Sequence, residues 1–295
     1  MNTSHQFVAM LCMLVSMLAY QLSASFAKYL FTVLDPTSVT VLRLCFASIF
    51  VGLMLRSWRI FVKLKYMQWR NLLCYSFALG CMNMMFYHAL VLLPQGIAVG
   101  LEFVGPLGLA LFAVQKKSDV IWVIFAMIGV VLLMPWSGHD NISWLGVVLA
   151  LGAGFCWALY IYFGQKVIRQ NLGMHSLTLA IGLAALIWLP VGLWNNAQGV
   201  LNIQYWGYAA VLAILATSIP YALDLYALKY LNRLSYGTFT SLSPAVAALA
   251  GLLLLNEHLS ALQWFALFCI MLASIGISIR NYYQTPKQGE SGSTT

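Results

Sequence analysis

The chain has 295 residues, of which 62% are hydrophobic and only 7% charged, with a mean hydropathy of +0.86. Soluble chains average about 25% charged residues, so a water-soluble domain is excluded and an all-α polytopic membrane protein is expected. The formal net charge of +8 would suit a nucleic-acid binder, but the distribution of the basic residues along the chain argues against one.

Runs of about 20 mainly apolar residues predict ten spans: 7–31, 38–56, 71–92, 96–114, 120–134, 144–164, 177–194, 208–228, 236–255 and 261–279. Asp35-Pro36 signals the start of the second span, and Asn195-Asn196 the end of the seventh. The first run resembles a signal peptide, with Ser25-Phe26-Ala27 as a cleavage site. It is read as a retained helix, because Met1–Gln6 has no Lys or Arg and the apolar run is too long for such a signal. The tail 282–295 is polar and expected to be disordered. Six cysteines (Cys12, Cys45, Cys74, Cys81, Cys156, Cys269) lie in apolar runs without zinc or disulfide spacing, and are read as small core hydrophobes. No metal or other cofactor is expected.

Arg56, Arg59, Lys63, Lys65 and Arg70 fall between spans two and three, Lys116 and Lys117 between four and five, and Lys166 and Arg169 between six and seven. Lys229 and Arg233 separate eight and nine, and Arg280 and Lys287 follow ten. The alternate loops carry no Lys or Arg. The positive-inside rule then puts both termini in the cytoplasm. The basic surplus becomes a topological signal with anionic lipid as its partner and no role for nucleic acid.

An offset of 138 residues relates the two halves of the chain. Pro106 falls on Pro244, Ala110 on Ala248, Gly105 on Ser243, Glu102 on Thr240, Lys28 on Lys166, Ser38 on Ser176 and Ala89 on Ala227. The register slips to 142 in the fifth span, where Trp122 meets Trp264. Two units of five spans, 1–137 and 138–281, enter the membrane from opposite sides because five is odd. This inverted repeat is the architecture that places a transport site near the midplane.

Gly96, Ala98, Leu101-Glu102-Phe103, Gly105-Pro106-Leu107 and Ala110-Leu111-Phe112 form one motif. Leu42-Arg43-Leu44, Met82-Asn83, Cys156-Trp157-Ala158, Pro220-Tyr221 and Ser243-Pro244-Ala245 accompany it. The chain in these stretches resembles the EamA-type transporters of the drug/metabolite transporter superfamily, nearly from end to end. The resemblance implies a bacterial inner-membrane exporter of small amphiphilic metabolites, with neutral amino acids such as threonine or homoserine as cargo. Two positions depart from the family pattern: Asp224 stands where a glutamate is expected, and Asn256-Glu257 replaces Gly-Glu.

Ionisable groups inside the spans are Lys28, Arg43, His88, Glu102 and Asp224. Each costs about 2.5–3.5 kcal/mol at a helix centre and therefore needs an interior partner. Glu102 and Arg43 read as site residues or as a structural ion pair, and Asp224 as a site residue or as the partner of Lys229. For Lys28 the reading is a side chain snorkelling to the outer interface, and for His88 an interfacial histidine. Helical spacing adds Asn83 and Tyr87, Trp157 and Tyr160, Tyr221, and Thr240 and Ser243 as candidate cavity walls, although aromatic stripes are more often core. Glu102 and Asp224 are the candidate proton carriers, and Pro106 and Pro244 are kink formers with a possible gating role. The leading expectation is a proton-coupled secondary exporter, monomeric or weakly dimeric. An exporter of another metabolite or of a drug-like cation, or a passive channel, remains open. An intramembrane enzyme is disfavoured, since His88 has no second histidine or carboxylate at helical spacing.

Overall fold

The computed structural model describes residues 3–55, 66–112, 120–134, 142–169, 175–231 and 233–284, and among these every regular element is helical. The helices are α1 (Thr3–Leu30), α2 (Pro36–Leu55), α3 (Tyr66–Leu92), α4 (Gln95–Phe112), α5 (Val120–Leu132) and α6 (Trp144–Val167). They continue with α7 (His175–Leu201), α8 (Ile203–Ala213), a π-helical turn at Ile214–Ser218, α9 (Ile219–Tyr230), α10 (Arg233–Thr240), α11 (Ser243–Leu255) and α12 (Ala261–Gln284).

Eight helical runs are long and apolar enough to cross a membrane, among them α8–α9 taken together and α10–α11 taken together. The expected fourth and fifth spans correspond to α4 and α5, which are apolar but shorter. At 1.5 Å per residue, the described part of α5 extends over about 20 Å of the roughly 30 Å hydrocarbon core. The loops 113–119 and 135–141, which hold Lys116, Lys117, His139 and Asp140, lie outside the described residues, as do 56–65 and 285–295. The tail expected from 282 is still helical through Gln284.

The seventh span breaks at Asn196 (φ −155°, ψ 80°), where the Asn195-Asn196 signal put its end, and a short helical stretch follows to Leu201. Two later spans depart from a continuous helix, each for a local reason. The eighth span contains a π turn at Ile214–Ser218, directly before Pro220. A proline ring collides with the carbonyl four residues back, here Ala216, and one extra residue in the turn relieves that collision. The ninth span is broken at Ser241–Leu242, between α10 and α11, with Pro244 in the first turn of the new helix. Pro106, by contrast, sits inside a continuous α4.

The start of α2 follows its sequence signal. Asp35 accepts from the Ser38 backbone N–H at 2.9 Å and from the Ser38 hydroxyl at 2.7 Å, while Pro36 occupies the first helical position. The same carboxylate accepts from Asn195 and Asn196 of α7, at 3.0 and 2.9 Å, so this cap also ties the two halves together.

The most extensive contacts join first-half helices to second-half helices: α3 with α6, α2 with α7, α4 with α6, α1 with α9, α5 with α12, α3 with α7 and α4 with α11. One large apolar cluster runs through them, including Phe86, Leu90, Ile97, Leu101, Leu212, Leu267 and Ile270. The tightest crossing is between α4 and α6. Pro106 removes the N–H that would bond the Glu102 carbonyl, and that carbonyl lies against Gly154, where a Cβ would stand 2.5 Å from it. Gly105 meets the Gly154 backbone equally closely from the other side. Among the cysteines, Cys269 is buried but Cys74 is exposed and the others are half-buried, so the core-hydrophobe expectation holds only for Cys269.

Two predictions follow from this geometry. Gly154→Ala forces α6 off the Glu102 backbone and should lower the unfolding free energy of the purified protein by about 1–3 kcal/mol, the usual cost of overpacking, read by thermal unfolding in detergent. Burial pushes the Asp35 carboxyl up, but hydrogen bonds from the Ser38 side chain and backbone, Asn196 and Asn195 outweigh it and hold the group below its ordinary value. A depressed carboxyl contributes fully above its unfolded pKa of about 3.9 and loses that contribution as pH falls through the folded value. The protection factor of the Ser38 amide, its exchange rate taken relative to that of an unstructured peptide at the same pH, should therefore fall with acidification through that range in the wild type and lose this fall in Asp35→Asn.

Candidate functional site

A cavity of about 900 Å³ opens between the halves, within the range of small-molecule sites. Its wall is mostly apolar and aromatic, with charged groups at two levels. At the deep level α2 contributes Arg43, α3 contributes Asn83 and α4 contributes Glu102. Towards the other end, α9 contributes Tyr221 and Asp224, and α10–α11 contribute Thr240 and Ser243 across the helix break. Trp157 and Tyr160 of α6 stand between the two levels. The wall continues to Ile168, Leu177, Leu228 and Tyr236, which lie close in sequence to Arg169, Lys229 and Arg233.

Tyr87 is not part of this lining. It is buried behind Arg43, whose guanidinium carbon lies 5.0 Å from the ring centroid, and it packs edge-on against Phe31 at 5.7 Å. The candidate hinge prolines also separate: Pro106 lines the cavity, and Pro244 lies just outside it beside Ser243.

Arg43 is 4% exposed, and its Nη2 donates to the Asn83 side-chain oxygen while its Nε is buried without a hydrogen-bond partner. Asn83 in turn donates to the Leu79 carbonyl at 2.7 Å, which fixes its oxygen towards the arginine. Glu102 is likewise 4% exposed, and no ion pair with Arg43 forms within 4 Å among the described residues. A buried cation and a buried carboxylate therefore face one cavity without neutralising each other, unlike the structural ion pair that was one of the two readings. Asp224 does not pair with Lys229 either. Lys229 lies over the Tyr230 ring at 5.2 Å, and the polar neighbour of Asp224 is Ser16, whose hydroxyl donates to the Pro220 carbonyl at 3.5 Å.

Lys28, expected as a side chain snorkelling to the outer interface, has a partner that expectation did not include: it pairs with Glu257 from the α11–α12 turn. His88 plays a local part, bonding the Met84 carbonyl at 2.8 Å and Thr37 at 3.3 Å. No cluster of metal-ligating side chains occurs among the described residues.

Sequence reasoning missed the contribution of α1. Met13, Ser16, Met17, Tyr20 and Gln21 all line the cavity, and the polar members at Ser16 and Tyr20 have the i, i+4 spacing that was available as a signal. Tyr75 was missed as well. It stacks on Tyr160 at 4.7 Å and steadies that side of the wall.

The chain is 38% identical over 272 residues to the threonine/homoserine exporter RhtA of Escherichia coli (strain K12), covering 90% of each protein. It is 37% identical over 274 residues to RhtA of Salmonella typhimurium (strain LT2), covering 91% of this chain and 90% of that one. The chain belongs to the EamA-type transporters. The EamA-like transporter family matches residues 144–279 directly. An uncharacterized transporter, YwfM of Bacillus subtilis (strain 168), is 25% identical over 220 residues, covering 71% of this chain and 73% of that one. A solved crystal structure that is only 16% identical shares the fold, with a TM-score of 0.56 over 97% of this chain and 100% of the other. This EamA-type protein is thus a multi-pass inner-membrane transporter, related to metabolite exporters.

Tyr87 and Asn83 should respond differently to substitution. Tyr87→Phe keeps a ring face under Arg43 and should leave transport and stability near wild type. Asn83→Ala leaves the buried guanidinium with one partner fewer and should cost about 1–3 kcal/mol. Thermal unfolding beside vesicle transport assays of both variants checks the contrast.

Proposed function

We propose that this transporter is a proton-coupled secondary exporter of small zwitterionic metabolites, threonine and homoserine foremost, working by alternating access. The observation that carries the reading is the pair of Arg43 and Glu102, both buried, both facing one cavity and unpaired with each other within 4 Å. A zwitterion losing its water needs one cation for its carboxylate and one anion for its ammonium. Arg43, with its unpartnered Nε, supplies the first. Glu102 supplies the second, with Asp224 as a waiting position nearer the open end. Trp157 and Tyr160 give apolar contact for the carbon chain. The names of the 37–38% identical relatives support the cargo class.

The inverted-repeat reading, with units 1–137 and 138–281, is supported by the pattern of contacts. Number the ten runs in chain order, with α8–α9 as the eighth, α10–α11 as the ninth and α12 as the tenth. The principal contacts are then 1–8, 2–7, 3–6, 4–9, 5–10, 4–6 and 3–7, with lesser 1–9 and 2–8 contacts. Exchanging each run with the one five places away turns 1–8 into 6–3, 4–6 into 9–1 and 3–7 into 8–2, and leaves 2–7, 4–9 and 5–10 unchanged. A two-fold axis through the cavity would produce this pattern. The positive-inside distribution supports cytoplasmic termini and, with them, a cavity whose open end faces the cytoplasm. Glu102, and secondarily Asp224, would carry the proton that enters as cargo leaves, and Pro106 and Pro244 would serve the rocking of the halves.

In proteoliposomes, unlabelled threonine on one side should accelerate the movement of labelled threonine from the other, as alternating access requires and a passive channel does not. Glu102→Gln should abolish proton-driven efflux while leaving the yield and melting temperature of the purified protein unchanged. Efflux at the wild-type rate by that variant would remove Glu102 from the mechanism.

A further inference from the structure

A charged cluster lies beyond the deep end of the main cavity, on the side of the loops without Lys or Arg. Lys28 Nζ pairs with Glu257 Oε1 at 2.5 Å and donates to the Leu93 carbonyl at 2.7 Å. Glu257 Oε2 accepts the Gln95 backbone N–H at 2.7 Å. The Gln95 side chain donates to the backbone and side-chain oxygens of Gln21, at 3.0 and 3.1 Å, and accepts from the Ser25 hydroxyl at 2.8 Å. Asn256 aims the carboxylate. It ends α11 in the left-handed conformation (φ 55°, ψ 35°), and the Glu257 N–H closes back onto the Gly251 carbonyl at 3.0 Å. Asparagine is among the few residues besides glycine that adopt this conformation readily, so the departure from the family's Gly-Glu keeps the turn that the pair requires.

This hydrogen-bonded chain is a partition between two cavities. Gln21 lines the main cavity, whereas Lys28 and Glu257 line a second one of about 530 Å³ on the far side. Lys28 lies seven residues beyond Gln21 on α1, so the partition is about 10 Å thick. The two charged side chains are 17% and 16% exposed. Cargo leaving the main cavity on this side has to part α1, the start of α4 and the α11–α12 turn, and parting them strands one ammonium and one carboxylate. As a plug alone, an ion pair has no advantage over apolar packing, because desolvation roughly cancels its attraction, and breaking it leaves costly unpaired charge. A zwitterion presents the complement of both charges.

We propose that the second cavity is an exit-side site for the zwitterionic cargo, in which Lys28 takes the cargo carboxylate and Glu257 its ammonium as their own pair separates. The same two residues then close the pathway when it is empty and bind cargo when it opens. This rests on the exporter reading for the identity of the cargo and its direction of travel, not for the geometry.

The test uses the full-length protein in proteoliposomes loaded with labelled threonine, with efflux stimulated by unlabelled threonine outside. Lys28→Met and Glu257→Gln should each raise the external concentration for half-stimulation by about tenfold or more, the loss of one charge-assisted contact, while the internal half-saturation stays within about threefold. The amine and the hydroxy acid that each lack one of threonine's two charges should fail to stimulate the wild type. Glu257→Asp keeps the pair's charge, and with it the fold, and should shift the external value severalfold in the same direction. It decides the matter if either neutral variant does not fold. An unchanged external value, or equal shifts inside and outside, makes the pair a plain structural latch and overturns the exit-site proposal while the exporter reading stands. Failure of the wild type itself to move threonine or homoserine removes the exporter reading, and this proposal with it.

Discussion

A charge in a bilayer interior has to be answered by the protein, because lipid offers it nothing. In this chain the answers come from other helices. Lys28 of α1 is met by Glu257 from the α11–α12 turn, Arg43 of α2 by Asn83 of α3, and Asp224 of α9 by Ser16 of α1. Arg43, Glu102 and Asp224 all face the cavity with no ion-pair partner among the described residues. Three features thus have one origin: the cross-half packing, the cavity between the halves and the partition at its end all keep scarce charges away from hydrocarbon.

Helix breaks gather around the same cavity. The prolines at Pro106, Pro220 and Pro244 each deprive a carbonyl four residues back of its donor, at Glu102, Ala216 and Thr240. All three of these residues line the cavity, where polar groups of the cavity can meet a freed carbonyl. Non-helical backbone at membrane depth is tolerated where it is buried in protein or lines a cavity. The local answers differ: close packing on Gly154 for Glu102, a π turn around Ala216, and a tightened turn at Ser241–Leu242 after Thr240, where the Leu242 N–H bonds the Phe239 carbonyl at 3.0 Å.

What was legible in the sequence follows from how local each feature is. Asp35-Pro36 announced the α2 start because a cap involves only neighbours in the chain. The apolar spans were legible because burial in lipid leaves a compositional record. Arg43, Asn83, Glu102 and Trp157 were found as rare polar or aromatic residues at helical spacing, and they do meet around one cavity. Tyr87 followed the same rule and fell behind the wall instead, since spacing shows which residues share a face without showing what covers that face. The Lys28–Glu257 pair was hidden because its members are 229 positions apart. The π turn was hidden because a proline in sequence shows that a carbonyl is freed, not how the surroundings will satisfy it.

The placement of the breaks bears on how the two halves can move. Contacts between the halves outnumber the partners each helix finds within its own half, so sliding one half over the other would repack most of the core at once, which close-packed interiors resist. Swinging the segments on either side of a broken helix costs much less. The break at Ser241–Leu242 lies between α10, packed on α12, and α11, packed on α4 and followed directly by the Glu257 turn. A change in the bend at this break therefore moves Thr240 and Ser243 at the cavity wall and Glu257 at the partition together. In the proposed cycle, that shared lever links occupancy of the main cavity to opening of the exit.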